Sequence, residues 1–353
     1  MKEKGRMMRK AVLSGMLLVS LSLPLSADIA GDLETVGDAG YPGAFLFNLT
    51  GAKALSAGNA WTVLGKDPLS VFFNPSTLIG MKGSAAMLSM DLASQNRVQG
   101  VAVVALHQSG ETGPLSAEAS SGRSSVWALS GAWSSMKDIN AYSDNTGTAG
   151  ADLENASILG QLTFASAFSR NAGEGGWGVS LRGISESADG TKGQGLALSA
   201  GADFNVILGI LRCGFSVNNI GFISHDGRET TWINPLFSAA FLLRLPGLPT
   251  PLVLQLDKVL GTDQDVVLRI ATEFRLFSLQ GDDEASRAIA DMNAMQMPAP
   301  EVPTELYLRM GLVEGDIYGG MSLRWKLFDL AYGAGMDPVD GLIRHSVSLE
   351  VHF

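Results

Sequence analysis

Residues 345–353, His-Ser-Val-Ser-Leu-Glu-Val-His-Phe, form the stretch that decides the fold, because polar and apolar side chains alternate through it without exception. Successive side chains of a β-strand point to opposite sides, so the stretch predicts a strand with one apolar and one polar face. The apolar face carries Val347, Leu349, Val351 and Phe353. The polar face carries Ser346, Ser348, Glu350 and His352. A strand of this kind separates two different environments.

The same two-residue period recurs from about residue 83 onward, in segments of about ten residues bounded by Gly, Asn, Asp or Pro. Fourteen predicted strands follow, at 83–93, 97–108, 125–134, 157–169, 176–187, 194–206, 210–221, 235–245, 251–260, 265–277, 304–312, 315–325, 327–336 and 342–353. An even number of antiparallel strands is typical of single-chain transmembrane barrels. The expected fold class is therefore all-β, a transmembrane antiparallel β-barrel of about 14 strands.

The charged residues of these segments fall on their polar faces: Arg182, Asp203, Arg212, Arg269, Glu273, Arg275, Arg309, Asp316, Arg324 and Glu350. An Arg facing lipid at the bilayer midplane costs about 2–4 kcal/mol, so the polar faces are predicted to line the lumen. Their mixed signs favour a narrow, ion-paired interior. An exported soluble β-sandwich is the competing class; it explains the alternation but not why the opposite faces are so uniformly large and apolar.

The amino-terminus has the three parts of a secretory signal. Residues 1–10 are basic, residues 11–25 are apolar, and Leu25-Ser26-Ala27 precedes an aspartate. We predict a signal peptide at 1–27; a membrane anchor retained in the mature chain is the alternative. Cleavage would remove five basic residues and one acidic residue, so the mature chain would be more acidic than the net charge of −10 of the full sequence. Such a balance argues against nucleic acid as a partner.

Two regions depart from the strand period. Residues 28–82 are apolar but aperiodic, which predicts an N-terminal hatch or plug folded inside the barrel of residues 83–353, with one or two additional hairpins as the alternative. Residues 278–303 form a long loop that the topology places on the periplasmic side. Within it, residues 283–296 have helical spacing of apolar residues. A short helix there that docks a partner, or a solvated linker, are both compatible with the pattern.

The sequence contains no constellation of catalytic or metal-binding residues. Residues 173–178, Gly-Glu-Gly-Gly-Trp-Gly, have the glycine spacing of a dinucleotide-binding loop but lead into a strand, whereas that motif opens a helix. The four histidines are scattered without metal-ligand spacing. We therefore do not expect an enzyme, a cofactor or a resident metal.

The most informative motif lies in the predicted plug. Residues 51–55, Gly-Ala-Lys-Ala-Leu, precede a turn at Asp67-Pro68, and a short apolar stretch then leads into Phe73-Asn74-Pro75. This arrangement resembles the amino-terminal signature of the FadL/PorV-type outer-membrane proteins, with Asp67, Phe73, Asn74 and Pro75 matching residue by residue. Pro68 and Ser76-Thr77 depart from that signature. The terminal strand ending at Phe353 also resembles the signal read by the barrel-insertion machinery of the outer membrane.

The resemblance implies passive uptake of long-chain fatty acids or other hydrophobic small molecules through a hatch-gated barrel in the outer membrane of a diderm bacterium, in contact with its lipid. Leu55, Trp61, Phe72 and Phe73 are the expected apolar lining. Asp67, Asn74 and Pro75 would shape the hatch turn, and lumenal Arg269, Arg275 or Arg309 would meet a carboxylate head or serve in ion pairs of the barrel. A PorV-like component of a protein secretion or surface-attachment system, or a structural surface barrel, are the alternatives.

Overall fold

The computed structural model describes residues 44–47, 49–93, 97–108, 124–136, 153–168, 175–188, 191–207, 209–225, 229–245, 250–262, 264–279, 304–336 and 343–353. Its strands are β1 (Ala85–Ala93), β2 (Arg97–Gln108), β3 (Ser125–Met136), β4 (Leu153–Ala167), β5 (Gly175–Ala188), β6 (Thr191–Ile207), β7 (Leu211–His225), β8 (Glu229–Ile233), β9 (Leu236–Leu243), β10 (Leu252–Val259), β11 (Val267–Leu279), β12 (Thr304–Val313), β13 (Asp316–Trp325), β14 (Phe328–Met336) and β15 (Ile343–His352).

These strands form a closed antiparallel β-barrel. Each strand from β1 to β7 pairs with the next, as does each from β9 to β15, and β7 pairs with β9. The ring closes where β15 returns to β1, with Ala85 opposite His352 and Leu92 opposite His345. We call the rim that carries Ala85 and His352 the terminal rim, and the opposite one the distal rim. Closure leaves the barrel ladder without an edge, as a wall inside lipid requires.

The fifteen strand segments form fourteen strands of the barrel, because β8 and β9 are consecutive parts of a single strand position next to β7. Both pair with β7 in a single register, with Ile233 opposite Gly221 and Leu236 opposite Asn218. Between them lies Asn234-Pro235, where the proline has no N–H to donate to a ladder. The predicted fourteen strands are therefore confirmed. The prediction missed β8, because Asn234-Pro235 reads as a turn and Glu229–Ile233 is short and partly polar.

The two faces of the wall are as different as the alternation predicts. Outward-facing leucines and aromatic residues are exposed, and Leu88, near the middle of β1, has 57% of its surface accessible. Inward-facing Ser89, Gln161 and Arg182 are buried within the lumen. The predicted lumenal charges follow this division, and only Arg275 and Asp316 among them are exposed, close to strand ends. Large apolar side chains thus form the outer surface of a transmembrane β-barrel.

The terminal rim has an outer girdle of aromatic side chains, the feature by which such barrels sit at a membrane interface. Its exposed members include Trp127, Trp177, Phe204, Trp325, Phe328 and Phe353. Phe353 continues the closure beyond β15, since its backbone N–H donates to the Ser84 carbonyl at 2.9 Å. The described part of the chain contains no helix that is both long and apolar enough to cross a bilayer.

Residues 44–82, apart from residue 48, lie against the lumenal face of the wall; we call this segment the plug. It contains two short α-helices, α1 (Ala52–Ser56) and α2 (Ser70–Phe73), and two 3-10 helices, Ala44–Phe47 and Pro75–Gly80. Helix α1 contacts β12 to β15 and β1, whereas the 3-10 helix Pro75–Gly80 contacts β3 to β6. The plug therefore reaches from one side of the lumen to the other.

Three predicted segments lie outside the described residues. They are the signal peptide at 1–27, the first part of the expected plug at 28–43, and the helix expected within the 278–303 loop, of which the structure describes residues 278 and 279 at the end of β11. The division into signal peptide, plug and barrel at residues 27 and 82 stays a prediction.

We predict that Leu88→Arg destabilises the barrel in lipid by about 2–4 kcal/mol, because it places a guanidinium against the hydrocarbon core. Leu88→Phe, which remains apolar, is the matched control and should have little effect. The measurement is equilibrium unfolding by urea in phospholipid vesicles. Equal stability of the two variants would contradict a lipid-facing wall at this position.

Candidate functional site

The plug is fitted to the wall by lumenal glycines, which let its backbone come closer than a side chain would allow. A Cβ added to Gly311 would lie 2.4 Å from the carbonyl carbon of Ala57, and one added to Gly333 would lie 2.3 Å from the Ala52 oxygen. On the opposite side, a Cβ at Gly178 would lie 2.6 Å from the carbonyl carbon of Pro75. The plug backbone is therefore in direct contact with the wall on both sides of the lumen.

Wall side chains also satisfy backbone groups of the plug that its short helices leave unpaired. Gln161 Nε2 donates to the Val71 carbonyl at 2.7 Å, and Asn218 Nδ2 donates to the Phe73 carbonyl at 2.9 Å. Gln255 Oε1 accepts from the Thr62 N–H at 3.1 Å. Ser348 Oγ accepts from the Ala52 N–H at 2.9 Å, and Arg269 NH1 donates to the Gly58 carbonyl at 2.9 Å. Polar residues of the lumen thus act as the hydrogen-bonding partners of an irregular segment.

Lys53 of α1 is the one charged side chain between residues 49 and 65, and it anchors the plug to the wall. Its Nζ donates to Asp329 Oδ2 at 2.9 Å and to Glu350 Oε2 at 2.6 Å, and lies 3.8 Å from Asp67 Oδ2. All four side chains are buried. Burial alone lowers the pKa of the ammonium, but attraction by Glu350, Asp329 and Asp67 outweighs burial and raises the pKa above its usual value. Lys53 therefore stays charged inside the lumen.

Asp67, a predicted hatch-turn residue, joins this cluster from within the plug. Its Oδ1 accepts from Trp61 Nε1 at 3.2 Å, so the two predicted residues are brought together. Burial raises the pKa of Asp67 to about 6, against the opposing attraction of Lys53. Arg309 stacks near the same indole, with its guanidinium carbon 5.9 Å from the Trp61 ring centre. Trp61 is thus part of a polar cluster, and its ring is not free to line an apolar path.

Asn74, a predicted hatch-turn residue, holds the turn at Asn74-Pro75 together through both ends of its amide. Its Oδ1 accepts from the backbone N–H of Ser76 at 3.1 Å, which caps the 3-10 helix that begins at Pro75. Its Nδ2 donates to the carbonyl of Thr62 at 2.8 Å and so ties the turn to the preceding part of the plug. Asn74 is fully buried. The Asn-Pro motif therefore has a direct structural role at the centre of the plug.

A small cavity of about 30 Å³ lies between the plug and the wall near Asn234-Pro235, where β8 ends and β9 begins; we call this place the wall break. Its lining combines apolar residues with polar groups: Leu46, Leu49, Phe72, Phe73 and Leu236 with Asn59, Thr62, Asn218, Asn219, Ser238, Gln255, Asp257 and Arg269. A cavity of this volume holds about one water molecule. Phe72, Phe73 and Arg269, three of the predicted ligand residues, thus meet around one space.

The other predicted ligand residues lie elsewhere. Leu55 is buried in a separate cluster with Val267, Val313 and Tyr318. Arg275 pairs with Glu305 at 3.2 Å and has 59% of its side chain exposed.

The three arginines do not converge on one point, and each has a carboxylate partner. Arg269 Nε donates to Asp257 Oδ2 at 2.6 Å, and Arg309 Nε donates to Glu273 Oε2 at 2.6 Å. In the structure, all three arginines therefore form ion pairs within the barrel, which is one of the two roles predicted for them.

No protein-family model matches the chain, and no curated protein matches it either. Among solved structures, it is similar to the deltaS2S3 mutant of the TodX monoaromatic hydrocarbon channel, with a TM-score of 0.49 and 8% identity over 86% of this chain and 99% of that chain. A second TodX mutant, deltaS2, gives a TM-score of 0.43 and 9% identity over 92% and 100%. A bacterial polysaccharide outer-membrane secretin gives 0.38 and 11% over 77% and 98%. Likeness of this extent assigns no function.

We predict that Gly311→Ala displaces the plug from the wall, because the added Cβ would overlap the backbone at Ala57 and Gly58. The readout is limited proteolysis of the intact barrel, with faster cleavage within residues 49–82 as the expected result. Gly160→Ala, whose added Cβ meets nothing within 4 Å, is the matched control. Equal protection of the plug in both variants would contradict the close backbone contact.

Proposed function

We propose that this chain is a channel of the outer membrane of a diderm bacterium, for passive uptake of long-chain fatty acids or other hydrophobic small molecules, with the plug as its gate. Export by the signal peptide at residues 1–27 and insertion through the strand ending at Phe353 belong to this proposal. The observation that carries it is the cavity beside the wall break, where Phe72 and Phe73 of the plug face Leu236 of the wall.

The wall break supplies a sideways route to that cavity. Within the described residues, β8 is paired with β7 alone, whereas β9 is paired on both sides, with β7 and β10. At β8, the wall therefore has backbone hydrogen bonds to β7 on one side and none to a described strand on the other. Exposed aromatic side chains flank this place on the outer surface, where Phe222 and Trp232 form an edge-to-face pair with ring centres 6.2 Å apart. An apolar molecule dissolved in the outer leaflet would meet the lumen here without crossing water.

The lining of the cavity fits an amphiphile with a carboxylate head. Leu46, Leu49, Phe72 and Phe73 offer an apolar side, and Arg269 offers a guanidinium that binds carboxylates in a forked geometry. In the structure, the guanidinium of Arg269 is already paired with Asp257. A ligand carboxylate would have to exchange with Asp257, while a neutral hydrophobic molecule would leave the ion pair intact.

Movement of the plug has to accompany uptake, because a cavity of about 30 Å³ does not hold an acyl chain. The described contacts between plug and wall include hydrogen bonds of neutral groups, each contributing about 0.5–1.5 kcal/mol. They also include apolar packing, since Leu69 and Val71 of the plug belong to the same buried cluster as Ile158 of the wall. The Lys53 cluster adds one ionic anchor near the terminal rim. A partial shift of α2 away from Asn234-Pro235 would enlarge the cavity, and it would break the hydrogen bonds that Gln161 and Asn218 donate to α2 together with part of this packing.

A reversible lock tests the gate. In a Cys213→Ser background, Ala52→Cys and Ser348→Cys place two thiols at positions where the Ala52 nitrogen and the Ser348 hydroxyl are 2.9 Å apart. We expect oxidation to abolish uptake of radiolabelled dodecanoate by cells that express the barrel, and reduction to restore it. Each single-cysteine variant is a control that should transport in both redox states.

Two results would count against the proposal. Uptake by the unlocked protein no faster than by cells without it would remove the transport function. Undiminished uptake by the fully oxidised double variant would retain transport but exclude the plug as its gate. Repeating the assay with a neutral aromatic hydrocarbon separates the classes of substrate, since Arg269→Met should slow uptake of dodecanoate alone.

A second candidate function is a closed barrel that holds exported proteins, as in a PorV-like secretion or surface-attachment system. The close contact of plug backbone with lumenal glycines on both sides of the barrel favours it, because such a fit suits a permanent seal. This reading predicts a stable complex with an exported protein that is lost when residues 281–300 are deleted. Co-purification in detergent, followed by mass spectrometry of the bound protein, is the measurement. An unaltered complex after the deletion would exclude this loop as the docking segment.

A further inference from the structure

The acidic pocket that receives Lys53 is built by two neighbouring strands near the terminal rim. Asp329 of β14 lies opposite Glu350 of β15, and both point into the lumen beside His352. One oxygen of each carboxylate and one imidazole nitrogen lie within 4.8 Å of one another. Carboxylate oxygens and imidazole nitrogens are ligands that divalent metal ions share. The wall therefore presents a set of three donors at a single point.

The occupant of this pocket in the closed barrel is a cation, the ammonium of Lys53. It lies between Asp329 Oδ2 and Glu350 Oε2 at 2.9 and 2.6 Å. Among the described residues, two further oxygens beside it are buried without a hydrogen-bond donor, Asp329 Oδ1 and Asp67 Oδ2. The pocket thus binds positive charge already, and it has acceptor capacity that the ammonium does not use.

The local charges do not balance. Three cations, Lys53, Arg324 and Arg275, face four carboxylates, those of Asp67, Asp329, Glu350 and Glu305. Arg309 does not make up the difference, because it is bound to Glu273. Uncompensated negative charge is costly in a low-dielectric interior. A divalent cation in place of the ammonium would supply the missing charge.

We infer that Asp329, Glu350 and His352 form a binding site for a divalent metal ion of the Zn²⁺ or Mn²⁺ type, for which Lys53 of the plug is the built-in competitor. Ligand atoms at about 2.1 Å from one ion lie about 3.4 Å apart, so the donors must draw together by about 1 Å. His352 makes this adjustment most easily, since it is partly exposed at the end of β15.

The metal ion and Lys53 of the plug then compete for the same carboxylates. A metal ion on Glu350 and Asp329 displaces the ammonium, so α1 loses its ionic anchor, and a seated plug in turn weakens metal binding by the same factor. The site does not depend on the proposed uptake function. If uptake takes place, the metal would favour the open gate.

The test is metal binding to the purified full-length barrel in detergent, with Zn²⁺ followed by titration calorimetry and Mn²⁺ by its electron paramagnetic resonance signal. We expect Lys53→Met to bind at least about tenfold more tightly than the wild type, a change of about 1.4 kcal/mol. The double variant Lys53→Met/Glu350→Gln should lose this gain. Lys66→Met, which removes a plug lysine that does not touch the pocket, should bind like the wild type. A gel shift on heating verifies that each barrel is folded.

A second measurement keeps Lys53 in place, in case its loss prevents folding. In the Cys213→Ser background, Ser56→Cys introduces a buried thiol on α1. We expect Mn²⁺ to accelerate its labelling by a thiol reagent several-fold, and Glu350→Gln to remove the acceleration. The inference is overturned if Lys53→Met binds no more metal than the wild type, if Glu350→Gln leaves the binding unchanged, or, should Lys53→Met not fold, if Mn²⁺ has no effect on labelling.

Discussion

The structure depends on the requirement that every backbone N–H and C=O inside a bilayer finds a partner within the protein. The pairing of β15 with β1 meets this requirement by removing both edges of the sheet at once. In the described wall, a ladder is missing on one side where neighbouring strands differ in length: β8 pairs with β7 alone, and residues 273–279 of β11 pair with β12 alone. The end of β8 at Asn234-Pro235 lies next to a cavity behind the plug, and for this reason the proposed function is placed there.

Closure creates a second constraint inside the barrel, because the lumen is narrow and its polar side chains have little water to bind. The plug and the wall satisfy each other: Gln161, Asn218 and Gln255 bind backbone groups of the plug, and Lys53 balances part of the charge of Asp329 and Glu350. Removing one partner of such buried pairs is costly, whereas exchanging a partner for another of like charge is cheaper. In the proposed gating, the Arg269 and Lys53 groups would each exchange a buried partner for another of like charge.

Much of the fold could be predicted because strand patterning is local. The period of two identified fourteen barrel strands and assigned their lumenal faces, since a charged side chain facing lipid carries a large penalty. Where the pattern is short or polar, the prediction was incomplete, because no strand was assigned to Glu229–Ile233, which forms β8. Arg275 and Asp316 lie on the lumenal side as predicted, opposite Tyr307 and Val313, but are exposed close to strand ends.

By itself, the sequence predicted a transmembrane barrel, because segments of about ten residues alternate between a polar face and a uniformly large, apolar face, whatever the order of the strands. Only the tertiary structure decided how the plug sits, because its contacts join residues far apart: Lys53 meets Asp329 and Glu350 across 276 and 297 positions. It separated Trp61 and Leu55 from Phe72 and Phe73, which alone of the four line the cavity. No periodicity encodes such contacts, because they arise from packing an irregular segment into a closed lumen.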